Sequence, residues 1–230
     1  LSYYYTKEFN KAFDDFQKTL EMDKNFLNGY NNRGLCYYSQ KRYNEALIDF
    51  NFVLSKDPAS TNTYFNRGNL YLNNKKIVDA INDYNTVINL NPNYIDGYLS
   101  RAYANKLIKK YESSLEDYNK VLKINPENIF TYHNRAKIYF YLDKENEAFV
   151  DIKKILEKAN EFPEFYITLA MFYHHFKKEK DKALEFIKLG FDNDKNNYLK
   201  EYISNDEDIN YFLKDLIEDQ TFKKIADNIN

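Results

Sequence analysis

One cysteine, no tryptophan, four prolines and five glycines are spread over 230 residues, and each scarcity closes off a class of protein. A single thiol, Cys36, can form neither an internal disulfide nor a thiolate metal site, which fits a reducing compartment and makes the cytoplasm the default expectation. So little Gly and Pro leaves few irregular loops and few strand-type turns. No charge sign dominates. Lys and Arg number 33 against 35 Asp and Glu, a net charge of -2, interspersed along the chain. Nucleic acid and anionic membrane both select for basic surfaces, so neither is an expected partner. A mean hydropathy of -0.75 and the lack of a long apolar run exclude a transmembrane helix. Glycine-rich phosphate loops, nucleophile elbows and triad patterns are absent, so no catalytic residue and no cofactor is expected. No leader is visible, and the chain opens on Leu1 rather than Met, as an excised piece of a longer protein would.

What is present is aromatic bulk, 23 Tyr and 18 Phe, laid out at a fixed period. Pro58, Pro92 and Pro126 are 34 residues apart, which sets the chain into segments 27–60, 61–94, 95–128 and 129–162. In that register the fourth place reads Tyr30, Tyr64, Tyr98, Tyr132, and the eighth reads Gly34, Gly68, Ala102, Ala136. The twentieth reads Ala46, Ala80, Ser114, Ala148, and the twenty-fourth Phe50, Tyr84, Tyr118, Ile152. The twenty-seventh reads Val53, Val87, Val121, Ile155. Each unit holds two apolar stripes at helical spacing, one around Tyr30, Gly34 and Tyr37, the next around Ala46, Phe50 and Val53. A glycine inside a helix costs about 1 kcal/mol against Ala, so Gly34 and Gly68 imply close approach of the paired helix, with Ala46 and Ala80 facing them.

These residues resemble the tetratricopeptide-repeat family, whose 34-residue unit carries an aromatic, a small residue, a Tyr, an Ala, an aromatic and a Pro. Tyr stands where the family prefers Trp, and the third repeat has Asn105 in place of the Tyr found as Tyr37, Tyr71 and Tyr139. The resemblance covers about residues 1–197. It implies an all-α, right-handed superhelical solenoid of antiparallel helix pairs, because no single repeat buries its own faces. Residues 1–26 fit as the second helix of a truncated repeat, with Tyr3, Ala12 and Phe16 in phase. Residues 163–197 form a divergent repeat with Tyr166, Ala170, Tyr173 and Ala183, carrying one inserted residue near Lys177–Lys182. Residues 198–230 leave the pattern. Ser204 and Glu207 form a capping-box signature ahead of Ile209, Phe212, Leu213, Leu216 and Ile217, and Asp219 caps a second helix with Phe222, Ile225, Ala226 and Ile229. This hairpin is read as a terminal cap over the last repeat, the alternative being the start of a further domain.

Arg33, Arg67, Arg101 and Arg135 share the seventh place, and Asp49, Asp83, Asp117 and Asp151 follow 16 residues later. The expected role is structural, a planar fork satisfied bidentately, with pairing either within or between repeats. The resemblance assigns the first helices to a concave groove, lined by the second, fifth, sixth, ninth, twelfth and thirteenth places. The sixth reads Asn32, Asn66, Ser100, Asn134, a ladder of amides able to grip a peptide main chain. Asn31, Asn62, Phe65 and Asn69 complete a mainly polar first half. Leu99, Tyr103, Phe130, His133, Phe140, Ile167 and Met171 make the second half apolar, with Lys106 and Lys137 set to receive an acidic group. An asparagine-rich chain also places some of these residues on plain solvated helix. The carboxylate clamp of chaperone-binding members is not expected, because only Asn66 matches and the cations are missing. His175 and Glu179 stand at i,i+4, but two ligands make no metal site, and Cys36 reads as a buried small hydrophobe. The expectation is therefore a scaffold or adaptor that holds an extended or helical peptide of a partner. Two alternatives are a substrate-recruiting segment of a larger enzyme, and a self-association module whose apolar edge is Tyr3, Tyr4 and Tyr5.

Overall fold

A computed structural model describes residues 2–227, with the side chains of 11–226. Tyr3, Tyr4 and Tyr5, on which self-association would rest, and Ile229 of the expected last helix lie outside the described side chains. The described residues form α-helices and one π-helical turn, without a strand. The repeat helices are α1 (Ser2–Met22), α2 (Leu27–Ser39), α3 (Tyr43–Lys56), α4 (Thr61–Asn73), α5 (Ile77–Leu90), α6 (Ile95–Leu107), α7 (Tyr111–Ile124), α8 (Ile129–Tyr141), α9 (Glu145–Leu156), α10 (Glu164–Phe172) and α11 (Lys180–Asn193). The π-turn Tyr173–Lys177 precedes α11, and α12 (Leu199–Asn205), α13 (Glu207–Phe212), α14 (Lys214–Ile217) and α15 (Gln220–Asp227) follow it. Two compact units divide inside α7, Leu1–Asp117 and Tyr118–Asn230.

In the first unit each helix packs on the next, α1 on α2 through α5 on α6. Two of its core clusters are small and local, one around Ala46, Phe50 and Leu70, the next around Ala80, Tyr84 and Ala104. The glycines meet a different neighbour from the one the sequence suggests. A Cβ on Gly34 would stand 2.6 Å from Phe50 Cε1, and one on Gly68 2.7 Å from Tyr84 Cε1. The close approach is to the aromatic of the second helix, not to Ala46 or Ala80.

The turn inside each repeat is a Schellman closure with an unexpected residue. Lys41, Lys75, Lys109 and Asp143 hold φ of 60°, 58°, 60° and 52°, the left-handed region that glycine usually fills. In the first, the Arg42 amide donates to the Tyr37 carbonyl at 2.9 Å and the Lys41 amide to Tyr38 at 2.9 Å, and the same bonds recur at Lys76 and Lys75. The fifth repeat absorbs its extra residue differently. The π-turn widens the end of its first helix, the left-handed position moves to Lys178, and the Glu179 amide reaches back to the Tyr173 carbonyl. The insertion is thus taken up ahead of Lys178, just before the expected place.

The Arg/Asp ladder pairs within repeats. Each guanidinium grips its Asp through Nε and Nη2, at 2.8 and 2.7 Å for Arg67 and Asp83. Nη1 donates backward to the preceding repeat, Arg67 to Asn51 at 2.6 Å, Arg101 to Asn85 at 2.6 Å and Arg135 to Asn119 at 2.5 Å. The fork also lies over the tyrosine rings of the fourth and eleventh places, Tyr64 and Tyr71 in the case of Arg67. Burial pushes the Asp117 and Asp151 carboxyls up, with the guanidinium pulling the other way.

The second unit has one continuous core running from Ala136, Phe140 and Ile152 through Phe165, Met171 and Ile187 to Ile203, Ile209, Phe212, Leu216 and Phe222. Residues 199–205 are helical, and the cap of the next helix is Asp206, whose carboxylate accepts the Ile209 amide at 3.0 Å. Ser204 instead donates to the Glu201 carbonyl inside α12. The expected capping box is corrected accordingly: the helix that precedes it occupies the Ser204 position, so the N-terminus falls two residues later.

Candidate interaction faces

The first-helix positions can be followed repeat by repeat. In the first unit they are ordered side chains at a half-exposed surface. Asn31 Oδ1 accepts from Asn66 Nδ2 and from Thr63 Oγ1, both at 3.1 Å, and Asn31 Nδ2 lies 3.5 Å from Asn32 Oδ1. Asn69 Oδ1 accepts from the Tyr84 hydroxyl at 2.7 Å, and Asn73 Nδ2 donates to the Tyr38 hydroxyl. The ladder is therefore partly spent on holding neighbouring repeats together. Asn62 is exposed, Asn32 and Leu99 are half-buried, and Phe65 packs against Tyr84 and Tyr94 at 6.0 and 5.3 Å. Tyr103 is 46 % exposed, with the Lys106 ammonium 5.3 Å from its ring centre.

The same register in the second unit is covered. His133, Lys137, Phe140, Ile167 and Met171 are all buried, Lys137 to 4 % and Met171 to 0 % exposure. Expected as open groove lining, these residues instead belong to the interior, because α12 and α13 lie over the first-helix side of α8 and α10 packs beside it. His133 Nδ1 bonds Thr168 Oγ1 at 2.9 Å, and its Nε2 lies 3.4 Å from the Tyr202 hydroxyl. Lys137 Nζ donates to Asp206 at 2.6 Å and to the Tyr202 hydroxyl at 3.3 Å, with Asp208 at 3.7 Å. Burial works against the Lys137 ammonium, but Tyr202, Asp206 and Asp208 outweigh it and push its pKa up. Tyr202, buried against it, is pushed up to about 12. The Tyr141 hydroxyl donates to Asp208 at 2.8 Å, and Phe212 meets the Phe140, Tyr141 and His175 rings at 5.6, 4.9 and 5.0 Å. Phe130 remains 46 % exposed beside Phe162 and Phe165, and Asn134 is half-buried.

The π-turn completes this contact. It presents His174, whose Nε2 lies 2.9 Å from Asp215, and His175, 3.6 Å from Asp143. Lys180 pairs with Asp219 at 2.8 Å and holds that carboxyl down to about 2. Beside them is an open cavity of about 510 Å³ lined by His174, His175, Lys178, Lys180, Tyr211, Phe212 and Asp215. No group of three or more His, Cys, Asp and Glu among the described residues is placed to hold a metal ion. Nor is any described helix long and apolar enough to cross a membrane.

Sequence reasoning overlooked two repeated devices. The twenty-fifth place, Asn51, Asn85 and Asn119, supplies the third partner of Arg67, Arg101 and Arg135, and its spacing of 16 to the next Arg equals that from Arg to Asp. The thirty-first place, Asp57, Asn91 and Asn125, closes the first three full repeats with an Asx turn, its side chain accepting the amide two residues on. Both were present in the register as repeated small polar residues.

Tandem helix pairs with a shared first-helix register define an all-α repeat protein of the kind that presents binding surfaces to other proteins. The chain is a tetratricopeptide-repeat protein: one model of that repeat matches residues 28–60 and 61–94, and a second matches 95–128. Known structures share the fold. YrrB, described as a TPR protein with an unusual peptide-binding site, is 16 % identical with a TM-score of 0.64, over 82 % of this chain and 97 % of its own. A MamA protein is 19 % identical with a TM-score of 0.65, over 76 % and 94 %. A tetratricopeptide repeat protein from Parabacteroides merdae is 22 % identical with a TM-score of 0.61, over 90 % and 79 %. None of the curated proteins matches the chain.

Proposed function

We propose that the protein is a non-catalytic adaptor that holds an extended or helical peptide of a partner on the first-helix face of its first unit. The supporting observation is the difference in exposure at one register position. Tyr103 in the ninth place of the third repeat stands 46 % exposed, whereas Lys137 in the ninth place of the fourth is buried. On the first helices of the two preceding repeats, the exposed Asn62 and the half-buried Asn32, Asn66 and Phe65 offer amide donors and acceptors and further aromatic surface. Amides of this kind bind a peptide main chain without reading its side chains, each bond contributing about 1 kcal/mol net, so several act together. Aromatic contact supplies the anchor. The shared fold with YrrB, itself described as peptide-binding, agrees with this reading.

The test is a peptide-array screen with the purified chain, followed by titration of the best peptides. Asn66→Ala/Tyr103→Ala should weaken binding at least tenfold. Ile48→Ala/Val78→Ala, which changes two exposed second-helix positions, should leave it unchanged. The opposite pattern would move the site to the second helices.

A further inference from the structure

In the second unit the first-helix face already carries an occupant with the character of a ligand. Residues 199–219 hold seven Asp or Glu against two Lys. Their polar contacts with the repeats are made largely to ammonium groups, a hydroxyl and an imidazole: Asp206 and Asp208 to Lys137, Asp208 to Tyr141, Asp215 to His174, and Asp219 to Lys180. Phe212 is the apolar anchor among Phe140, Tyr141 and His175. The helices concerned are seven, six and four residues long. Segments that short do not hold a helix alone in water, so this one is ordered by the surface it sits on. Docking is also close to all-or-none. A buried ammonium stripped of its carboxylates is strongly unfavourable, so Lys137 is either paired with the segment or released to water with it.

We infer that α12–α14 are an internal occupant of a peptide-binding face. When they lift, that face accepts a partner segment of the same chemistry: two carboxylates two residues apart, then an aromatic four residues after the second, as in Asp206, Asp208 and Phe212. The paired carboxylates neutralise Lys137, and the aromatic fills the site between Phe140 and the π-turn. Because the segment also buries Ile203, Ile209, Leu213 and Leu216, the competing segment is an amphipathic acidic helix rather than a simple acidic tail. The site is separate from the first-unit face and does not rest on the function proposed for it.

The test uses the full chain and a fluorescent peptide of residues 198–218. Wild type should bind it at least 30-fold more weakly than Asp206→Asn/Asp208→Asn/Phe212→Ala, in which the internal copy is loosened and Lys137 retained. Adding Lys137→Met to that variant should abolish binding, and a scrambled peptide of equal composition should bind to neither. Equal binding to wild type and variant, or binding indifferent to Lys137, overturns the inference. Should the triple variant unfold, amide exchange on wild type decides. Exchange of α12–α14 through an opening that leaves α8–α11 protected supports the inference, and exchange of all of them together refutes it. Peptide captured by the first-unit face instead would survive Lys137→Met and be lost in Asn66→Ala/Tyr103→Ala.

Discussion

The two units use one repeat and treat its first-helix face in opposite ways. In the first unit the face is polar, half-exposed and partly cross-linked by its own amides, with Asn31 tied to Asn66 and Asn69 to Tyr84. In the second unit the equivalent positions turn apolar and cationic, and the chain lays its own acidic segment over them. The lesson concerns composition at a few register places. Changing the ninth place from Asn69 and Tyr103 to Lys137 and Met171 changes a surface that water can wet into one that needs cover.

The largest effects should come from uncovering a charge. Asp206→Ala/Asp208→Ala removes the counter-ions that let Lys137 stay buried under the docked segment and should destabilise the docked second unit by about 3–5 kcal/mol. Denaturant melts with amide exchange as the site-specific readout should show the loss confined to α8–α14. Adding Lys137→Met should recover much of it, because no charge is then left unpaired. If the double variant matches wild type, the cover is held by its apolar side chains alone. Asp83→Ala makes the same change in the first unit, stranding Arg67, and should also cost about 3–5 kcal/mol, read from its melt. A melting temperature that barely moves would mean that Asn51 and the tyrosine rings suffice for the guanidinium.

The repeat was legible in the sequence because its physics is local and periodic: small residues where helices touch, prolines after second helices, and an Arg and an Asp held 16 residues apart. The first unit follows that register closely. The second departs from it because its deciding contacts join residues 65 to 69 positions apart, Lys137 to Tyr202 and Asp206. No period announces such pairs. The apolar content of Phe140, Ile167 and Met171 was visible, but it fits an open groove awaiting a peptide as well as a covered core. Only the placement of α12–α14 separates the two. Ser204 shows the same limit at short range: its spacing to Glu207 matched a capping box, and the helix ending at Asn205 took the position first.

A smaller effect should separate the units by pH. Burial lowers the His175 pKa below its ordinary 6.5, Lys178 and His174 add to this, and Asp143 opposes it. The unfolded chain then takes up the proton first, so stability is complete above about pH 6.5 and is lost as pH falls toward the folded value. Amides of α13, which meets His175 through Phe212, should exchange faster over that interval. The Lys180–Asp219 pair stays charged throughout, since Asp219 titrates near 2. Exchange in α2–α5, which hold no histidine, should not respond. His175→Phe should remove the response, and a response that persists in that variant would assign it to another group.

The smallest effect tests what the units share. Lys75 and Asp143 close equivalent turns at φ of 58° and 52°, one in each unit. A side chain in the left-handed region costs about 1 kcal/mol relative to glycine, offset in part by the extra freedom glycine has in the unfolded chain. Lys75→Gly should therefore stabilise the first unit by at most about 0.5 kcal/mol, and Asp143→Gly the second by less. The second gain is smaller because Asp143 also faces His175 at 3.6 Å, a contact that the substitution removes. Equal gains in paired denaturant melts would show that this contact adds nothing to the turn. A net loss at Asp143 alone would place that carboxylate among the groups that hold the π-turn, and hence the occupied face, in position.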